Sequence, residues 1–157
     1  MAGIRSSDAE GARMKTDEFP GCIPFDLWNL VPPSLASVLP NVMWNRDRLH
    51  RLVLPNVELP VADLRWQLDL PWWGVDHRHF AVSPNQVRSE PRSYAKQWRR
   101  VLDAELCFPI HLLERDRLII LDGVHRLLKA DVLGISHVSA HVVSHCLFME
   151  QIVERDS

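Results

Sequence analysis

The sequence predicts an α+β protein in which a small mixed sheet packs against helices. All 11 prolines lie before residue 110, so the first two thirds should consist of short elements separated by turns. The last third has no proline and contains apolar runs typical of strand, turn, strand, helix and strand. The regular part of the fold is therefore predicted near the C-terminal end.

The elements predicted before residue 84 are short. The stretch "FDLWNLVPPSLASVLPNVMW" indicates one or two helical turns, broken at Pro32, Pro33 and Pro40. The stretch "RLHRLVLPNVELPVADL" alternates in part between apolar and polar residues, which predicts an extended segment. A turn at Gly74 and a short strand over residues 80–82 are expected to follow.

The stretch "EPRSYAKQWRRVLDAEL" predicts a helix, because Pro91 suits a first turn. The apolar positions at helical spacing are Tyr94, Trp98, Val101 and Leu102, and the basic positions on the other face are Lys96, Arg99 and Arg100. We expect the basic face to be solvated.

The predicted end of the chain is a strand, a turn, a strand, a helix and a strand. "FPIHLL" and "RLIILD" should be strands joined by the turn "ERDR", and a helix should then end near Gly134. "ISHVSAHVV" is predicted to be the last strand, and "FMEQIVERDS" a short closing helix. We expect one domain over residues 19–157, preceded by a flexible lead-in over residues 1–18.

Composition limits the class of protein. The chain has 157 residues, 46% of them hydrophobic, and a formal net charge of −2. This charge gives no whole-molecule attraction to nucleic acid, so a nucleic-acid partner, although possible through a local basic patch, is not favoured. No apolar stretch has the length of a membrane span, and the N-terminus lacks the apolar region of a secretory signal. Cys22, Cys107 and Cys146 form no paired motif, so reduced thiols in a cytoplasmic protein are expected.

The stretch "LIILDGVHRLLKADVLG" places an acid, a glycine and basic residues where a strand becomes a helix. Asp122 is expected to cap the helix, and Gly123 to permit an unusual backbone angle and the close approach of a ligand. His125, Arg126 and Lys129 share one sector of the helical wheel. Phosphate is the ligand best matched to these groups at a helix N-terminus.

A purely structural interpretation of this stretch also remains open. The helix could be an ordinary amphipathic helix with solvated basic side chains. Its predicted core-facing residues are Val124, Leu127, Leu128 and Val132. Asp131 falls among these apolar positions, and either pairs with a basic side chain or marks the exposed edge of the helix.

The stretch "ILDGVHRLLKADVLGISHVSAHVV" resembles the signature of the ParB/sulfiredoxin superfamily. The resemblance extends over residues 57–143, and its specific part is residues 122–126. It implies a compact ParB/sulfiredoxin-like fold that binds a nucleotide phosphate at the turn. Val124 stands where sulfiredoxins carry their nucleophilic cysteine, so that chemistry is not expected. The motif is most similar to the Asp-Gly-His-His-Arg of the free serine kinases of this fold, from which it differs at Val124 alone.

The kinase resemblance implies Mg²⁺ with ATP or another nucleoside triphosphate, and transfer of phosphate to a small hydroxyl-bearing molecule or hydrolysis of the nucleotide. In this interpretation Gly123, Val124, His125, Arg126 and Lys129 bind phosphate, and Asp122 and His125 take part in catalysis. Asp69 is the candidate general base, although it could equally be a turn residue, and Glu58 is the second candidate. The alternative function is a non-catalytic nucleotide-binding or DNA-associated module.

Aromatic and histidine clusters outside the motif have structural interpretations. Trp66, Trp72 and Trp73 are expected to build core, although one could stack on a ligand. His77, Arg78 and His79 are expected on a solvated turn.

His137, His141 and His145 would align on a helix, but a strand would separate successive members by roughly 13 Å, too far for one zinc ion. No metal site is therefore assigned from the sequence.

Overall fold

The computed structural model describes Ile23 and residues 25–155. The predicted lead-in over residues 1–18 and Cys22 lie outside this part of the chain. The predicted α+β class with a small mixed sheet is confirmed. The described strands are β1 (Val57–Pro60), β2 (Trp73–Val75), β3 (Arg78–Val82), β4 (Ile110–Glu114), β5 (Leu118–Asp122) and β6 (His137–Ser144).

The main sheet has the strand order β1-β6-β4-β5. β6 runs parallel to β4, whereas the β1–β6 and β4–β5 pairs are antiparallel. β2 and β3 form a separate antiparallel hairpin. The predicted strands at "FPIHLL", "RLIILD" and "ISHVSAHVV" are thus confirmed.

The described helices are short. They are α1 (Pro33–Ala36), α2 (Arg46–Arg51), α3 (Val61–Leu64), α4 (Pro84–Ser89), α5 (Ala95–Asp103), α6 (Val124–Val132) and α7 (His145–Leu147). Two 3-10 helices cover Phe25–Leu30 and Arg65–Asp69, and a π-helical turn covers Phe148–Ile152. The predicted closing helix is therefore present.

Three of the predicted boundaries were wrong. The extended segment was expected to include residues 48–51, but these belong to α2, because the Asn45 side chain accepts the backbone N–H of Arg48 and caps that helix. Val61 begins α3 instead of continuing β1. The helix expected from Pro91 begins at Ala95, after a turn over residues 91–94.

The main sheet is covered on both faces. On one face, α6 packs Val124, Leu127 and Leu128 against the sheet, as predicted. Val132, in the last turn of α6, is 40% exposed, so its predicted core position was wrong. On the other face, Leu113, Leu121 and Val143 of the sheet pack with Trp44, Leu49, Phe148 and Ile152. Trp72 and Trp73 are buried in the first cluster, which confirms their predicted core role.

A buried glutamine side chain pairs with the edge strand β5. Gln67 is fully buried; its Nε2 donates to the carbonyl of Leu118 (3.1 Å), and its Oε1 accepts the backbone N–H of Ile120 (2.8 Å). An amide side chain therefore replaces a neighbouring strand at this edge. This contact fixes the strand that leads into the Asp122–Gly123 turn.

Candidate functional site

The turn between β5 and α6 owes its shape to Gly123. Gly123 has φ 115° and is the N-cap residue of α6. No described side chain makes a capping hydrogen bond to the start of that helix. The predicted capping role of Asp122 was therefore wrong, because Asp122 is still the last residue of β5. A Cβ added at Gly123 would lie 3.0 Å from Cγ1 of Ile110. The glycine is thus required by packing against β4 as well as by its φ angle.

Two predicted phosphate ligands on α6 bind the loop that precedes β4. Arg126 donates to the carbonyl of Pro109 and lies 3.4 Å from Oδ2 of Asp122. Lys129 donates from Nζ to the carbonyls of Leu102 and Ala104, both at 2.7 Å. These cations hold the end of α5 and the following loop against α6. Arg126 and Lys129, which were expected to face one ligand, therefore bind different backbone carbonyls.

Val124 and His125 point to different surroundings. The Val124 side chain is 1% exposed and belongs to the core, so only its backbone is left to contact a ligand. The His125 ring stacks on Trp73 at a centroid distance of 4.3 Å and donates from Nε2 to Oε1 of Gln97 at 3.0 Å. Burial, and next the charge of Arg100, lower the pKa of His125 from 6.5 to about 3. His125 is therefore neutral in the folded protein.

Gln97 connects His125 to the hairpin. Its Nε2 donates to the carbonyl of Gly74 at 3.3 Å, while its Oε1 accepts from His125. Gln97 is itself buried, with 6% of its surface exposed. One side chain therefore joins α5, α6 and the hairpin.

A cationic cleft opens between the hairpin and α5. Its volume is about 380 Å³, and its lining includes the charged or titratable residues Asp76, His77, Arg78, His79, Lys96 and Arg100, together with Gln97. The described lining thus contains three permanent cations and one carboxylate. The turn "DHRHF" and the basic face of α5 were expected to be solvated, and most of their side chains are exposed. The structure also brings the turn together with Lys96 and Arg100 as the walls of one cleft.

The hairpin beside the cleft contains residues with positive φ that are not glycine. Asp76 (φ 48°) and His77 (φ 65°) form the two-residue turn between the paired Val75 and Arg78, and Phe80 has φ 51°. Such conformations persist only where the surrounding structure holds them. Phe80 is 5% exposed and belongs to the core, so the hairpin is anchored beside the cleft.

The candidate bases lie on other elements than the motif. Asp69 is exposed at the end of a 3-10 helix and accepts from Nδ2 of Asn85 at 2.6 Å. Glu58 is exposed on β1, opposite Ser139. Asn85, the described partner of Asp69, is not a residue of the turn. The role of Asp69 as base stays a prediction.

Asp131 takes the first of its two predicted alternatives. Its carboxylate accepts from Nε of Arg65 at 2.9 Å and from a terminal nitrogen of Arg88 at 2.5 Å. Burial alone would raise the pKa of Asp131, but the hydrogen bonds from Arg88 and Arg65 outweigh it and lower the pKa. The Asp131 carboxylate therefore links α6 to α4 through Arg88 and to the Arg65–Asp69 helix through Arg65.

Asp122 faces a row of histidines on the opposite side of the sheet from the α6 core. The strand register pairs His111 of β4 with both Asp122 of β5 and His141 of β6. His50 of α2 donates from Nε2 to Oδ2 of Asp122 at 2.9 Å. Burial acts to raise the pKa of Asp122, but the hydrogen bond from His50 and the nearby arginines bring it below its usual value.

The strand assignment that argued against the triplet of His137, His141 and His145 is confirmed for His137 and His141, because β6 covers His137–Ser144. His145 begins α7. The group of His50, His111 and Asp122 is a different set, and no sequence spacing indicates it. His50, His111 and Asp122 come from three separate elements.

The chain matches no protein-family model, no curated protein and no solved structure. None of the helices in the described ranges is long and apolar enough to cross a membrane. Cys107 and Cys146 are exposed free thiols.

Proposed function

We propose that the protein binds the phosphate groups of a nucleotide in the cationic cleft. The observation that carries this proposal is the cleft of about 380 Å³ whose described lining includes the three cations Arg78, Lys96 and Arg100 but one carboxylate, that of Asp76. A guanidinium fork suits phosphate oxygens, and a concave site increases the effect of its charges on an anion.

The resemblance to the ParB/sulfiredoxin superfamily supports the same ligand. It implies that the turn residues 123–126 lie near a nucleotide phosphate. His125, one of these residues, contacts Gln97 in the cleft lining. Burial, and next the charge of Arg100, which also lines the cleft, lower the pKa of His125. His125 thus links the motif to the cleft through Gln97.

The neutral His125 ring donates from Nε2 to Oε1 of Gln97, so its role is to hold Gln97 beside the cleft. The pKa of His125 is lowered to about 3, first by burial and then by Arg100. A phosphate bound beside Arg100 would offset that positive charge, and we expect it to raise the pKa of His125. The change would be visible in the ring signals of His125 in an NMR titration.

A nucleoside triphosphate would bring Mg²⁺ with it, and Asp76 is the carboxylate of the cleft lining that such an ion could contact. Bound Mg²⁺ would neutralise phosphate charge during phosphoryl transfer. Transfer to a small hydroxyl compound, or hydrolysis, is the catalytic form of this proposal, with Asp69 as the base. A binding module without chemistry is the alternative. A DNA-associated role is less favoured, since the net charge of the chain is −2.

Isothermal titration calorimetry with ATP, ADP, CTP, GTP and inorganic phosphate, each with Mg²⁺, tests the cleft. Arg100→Ala should weaken nucleotide binding by about tenfold to a hundredfold, the usual loss for one charged hydrogen bond. Arg99→Ala is the matched control, because Arg99 is the exposed neighbour of Arg100 on α5 and does not line the cleft. Absence of binding to the wild-type chain, or equal losses in the two variants, would refute the site.

Product analysis with a panel of hydroxyl compounds then separates the catalytic form from the binding module. Asp69→Asn should abolish turnover while leaving nucleotide affinity unchanged. Binding without turnover in the wild-type chain would favour the binding module.

A further inference from the structure

The cluster of His50, His111 and Asp122 has the composition of a transition-metal site. Each residue offers one ligand atom, and these atoms all lie within 4.8 Å of one another. Around a zinc ion with bonds of about 2.0–2.1 Å, tetrahedral ligand atoms are about 3.3 Å apart. The described arrangement therefore needs an approach of at most about 1.5 Å between any two ligand atoms to close on an ion.

His50 can supply that movement. It lies near the end of the six-residue helix α2, and 43% of its side chain is exposed. Its Nε2 is already 2.9 Å from Oδ2 of Asp122. A cation bound there would take the lone pair of Nε2, so the neutral His50 ring would carry its proton on Nδ1 instead, and the carboxylate would keep its charge.

His111 gives an independent indication of a ligand. It is 8% exposed, and its Nδ1 is buried without a hydrogen-bond partner in the described part of the chain. A buried ring nitrogen without a partner costs free energy unless another group binds it. Burial, and next the neighbouring His50, lower the pKa of His111 to about 4. The ring is therefore neutral near pH 7, which is the form that binds metal ions.

Neighbouring groups orient the cluster. His141 contacts His111 at a ring-centroid distance of 5.1 Å and donates from Nε2 to Oδ1 of Asn56 at 2.5 Å. Arg126 lies 3.4 Å from Oδ2 of Asp122 but is also bound to the carbonyl of Pro109. Arg126 helps to hold the carboxylate in place, although its positive charge reduces the affinity for a cation.

From this geometry we propose that His50, His111 and Asp122 bind one divalent transition-metal ion such as Zn²⁺. Two imidazoles and one carboxylate favour such ions over Mg²⁺ and Ca²⁺, which prefer oxygen ligands. Three protein ligands leave a coordination position open to water or a substrate. The site shares no residue with the lining of the cationic cleft. The test of metal binding is therefore independent of the test of nucleotide binding.

The test measures zinc binding to the full chain after chelator treatment, by competition with a chromophoric chelator. We expect one Zn²⁺ per chain, and at least about a tenfold loss of affinity in His50→Ala, since removing even a group that orients a ligand costs 10–100-fold. His50 is exposed, so this variant should fold even if His111→Ala does not. His137→Ala and His145→Ala remove exposed histidines outside the cluster and should bind zinc like the wild type.

Cobalt(II) spectra identify the ligands. The wild type should show the visible bands of a low-symmetry nitrogen and oxygen site, and His50→Ala should lose them. Intense near-ultraviolet charge-transfer bands would instead show thiolate ligation by a cysteine, and would overturn the proposal. Failure of the wild type to compete with the chelator, or unchanged affinity in His50→Ala, would overturn it as well.

Discussion

Acidification should destabilise the protein because two of its imidazoles must stay neutral when it is folded. The pKa of His111 is lowered from 6.5 to about 4, first by burial and then by His50. The pKa of His125 is lowered from 6.5 to about 3, first by burial and then by Arg100. Between these values and 6.5 the unfolded chain binds more protons than the folded chain, so the free energy of unfolding falls as the pH falls.

The size of the effect follows from the same values. Both groups contribute their full stabilisation above pH 6.5, and lose it progressively as the pH falls toward the folded-state pKa of each. Each unit of pH below 6.5 costs about 1.4 kcal/mol per histidine, so at about pH 5 each contributes a loss of about 2 kcal/mol. Asp122 and Asp131 have lowered pKa values, so their contribution is lost only at still lower pH. The expected total of about 4 kcal/mol is a large part of the stability of a typical domain.

Urea unfolding at about pH 7.5 and about pH 5, with a chelator present, measures this loss. His125→Phe keeps an aromatic ring against Trp73 without a titrating group, and His111→Leu removes the other imidazole. Each variant should reduce the pH dependence by about 2 kcal/mol. His137→Ala controls for the removal of a histidine as such. A wild-type loss below about 1 kcal/mol, or the full pH dependence in both variants, would refute the reasoning.

Three further substitutions test contacts around the candidate site, each by urea unfolding. Lys129→Met should lower the free energy of unfolding by about 2 kcal/mol, because two carbonyls lose a charged donor, whereas exposed Lys96→Met should cost less than about 0.5 kcal/mol. Gly123→Ala should cost about 2 kcal/mol or more, through its positive φ and the contact with Ile110, and an undiminished stability would contradict the packing described. Gln67→Leu should cost about 2–4 kcal/mol, because two backbone groups of β5 lose their partner, and faster amide hydrogen exchange in β5 is the specific sign of that loss.

The strand–turn–strand–helix–strand unit could be predicted because its signals are local. Apolar runs, the glycine at the start of α6 and the absence of proline act within a few residues, and the structure places β4, β5, α6 and β6 there. The helix predicted from Pro91 shows the limit of such signals, because that helix begins only at Ala95. A local pattern indicates an element more reliably than its boundary.

The sequence by itself determined the α+β class, the position of the strand-to-helix turn and the buried stripe of α6, since each depends on residue periodicity. Only the tertiary structure decided the partner of each polar side chain. Arg126 and Lys129 leave their common helical sector because their long side chains reach carbonyls of the loop before β4. The cationic cleft and the His50–His111–Asp122 cluster arise from segments far apart in sequence, which only the packing of the chain brings together.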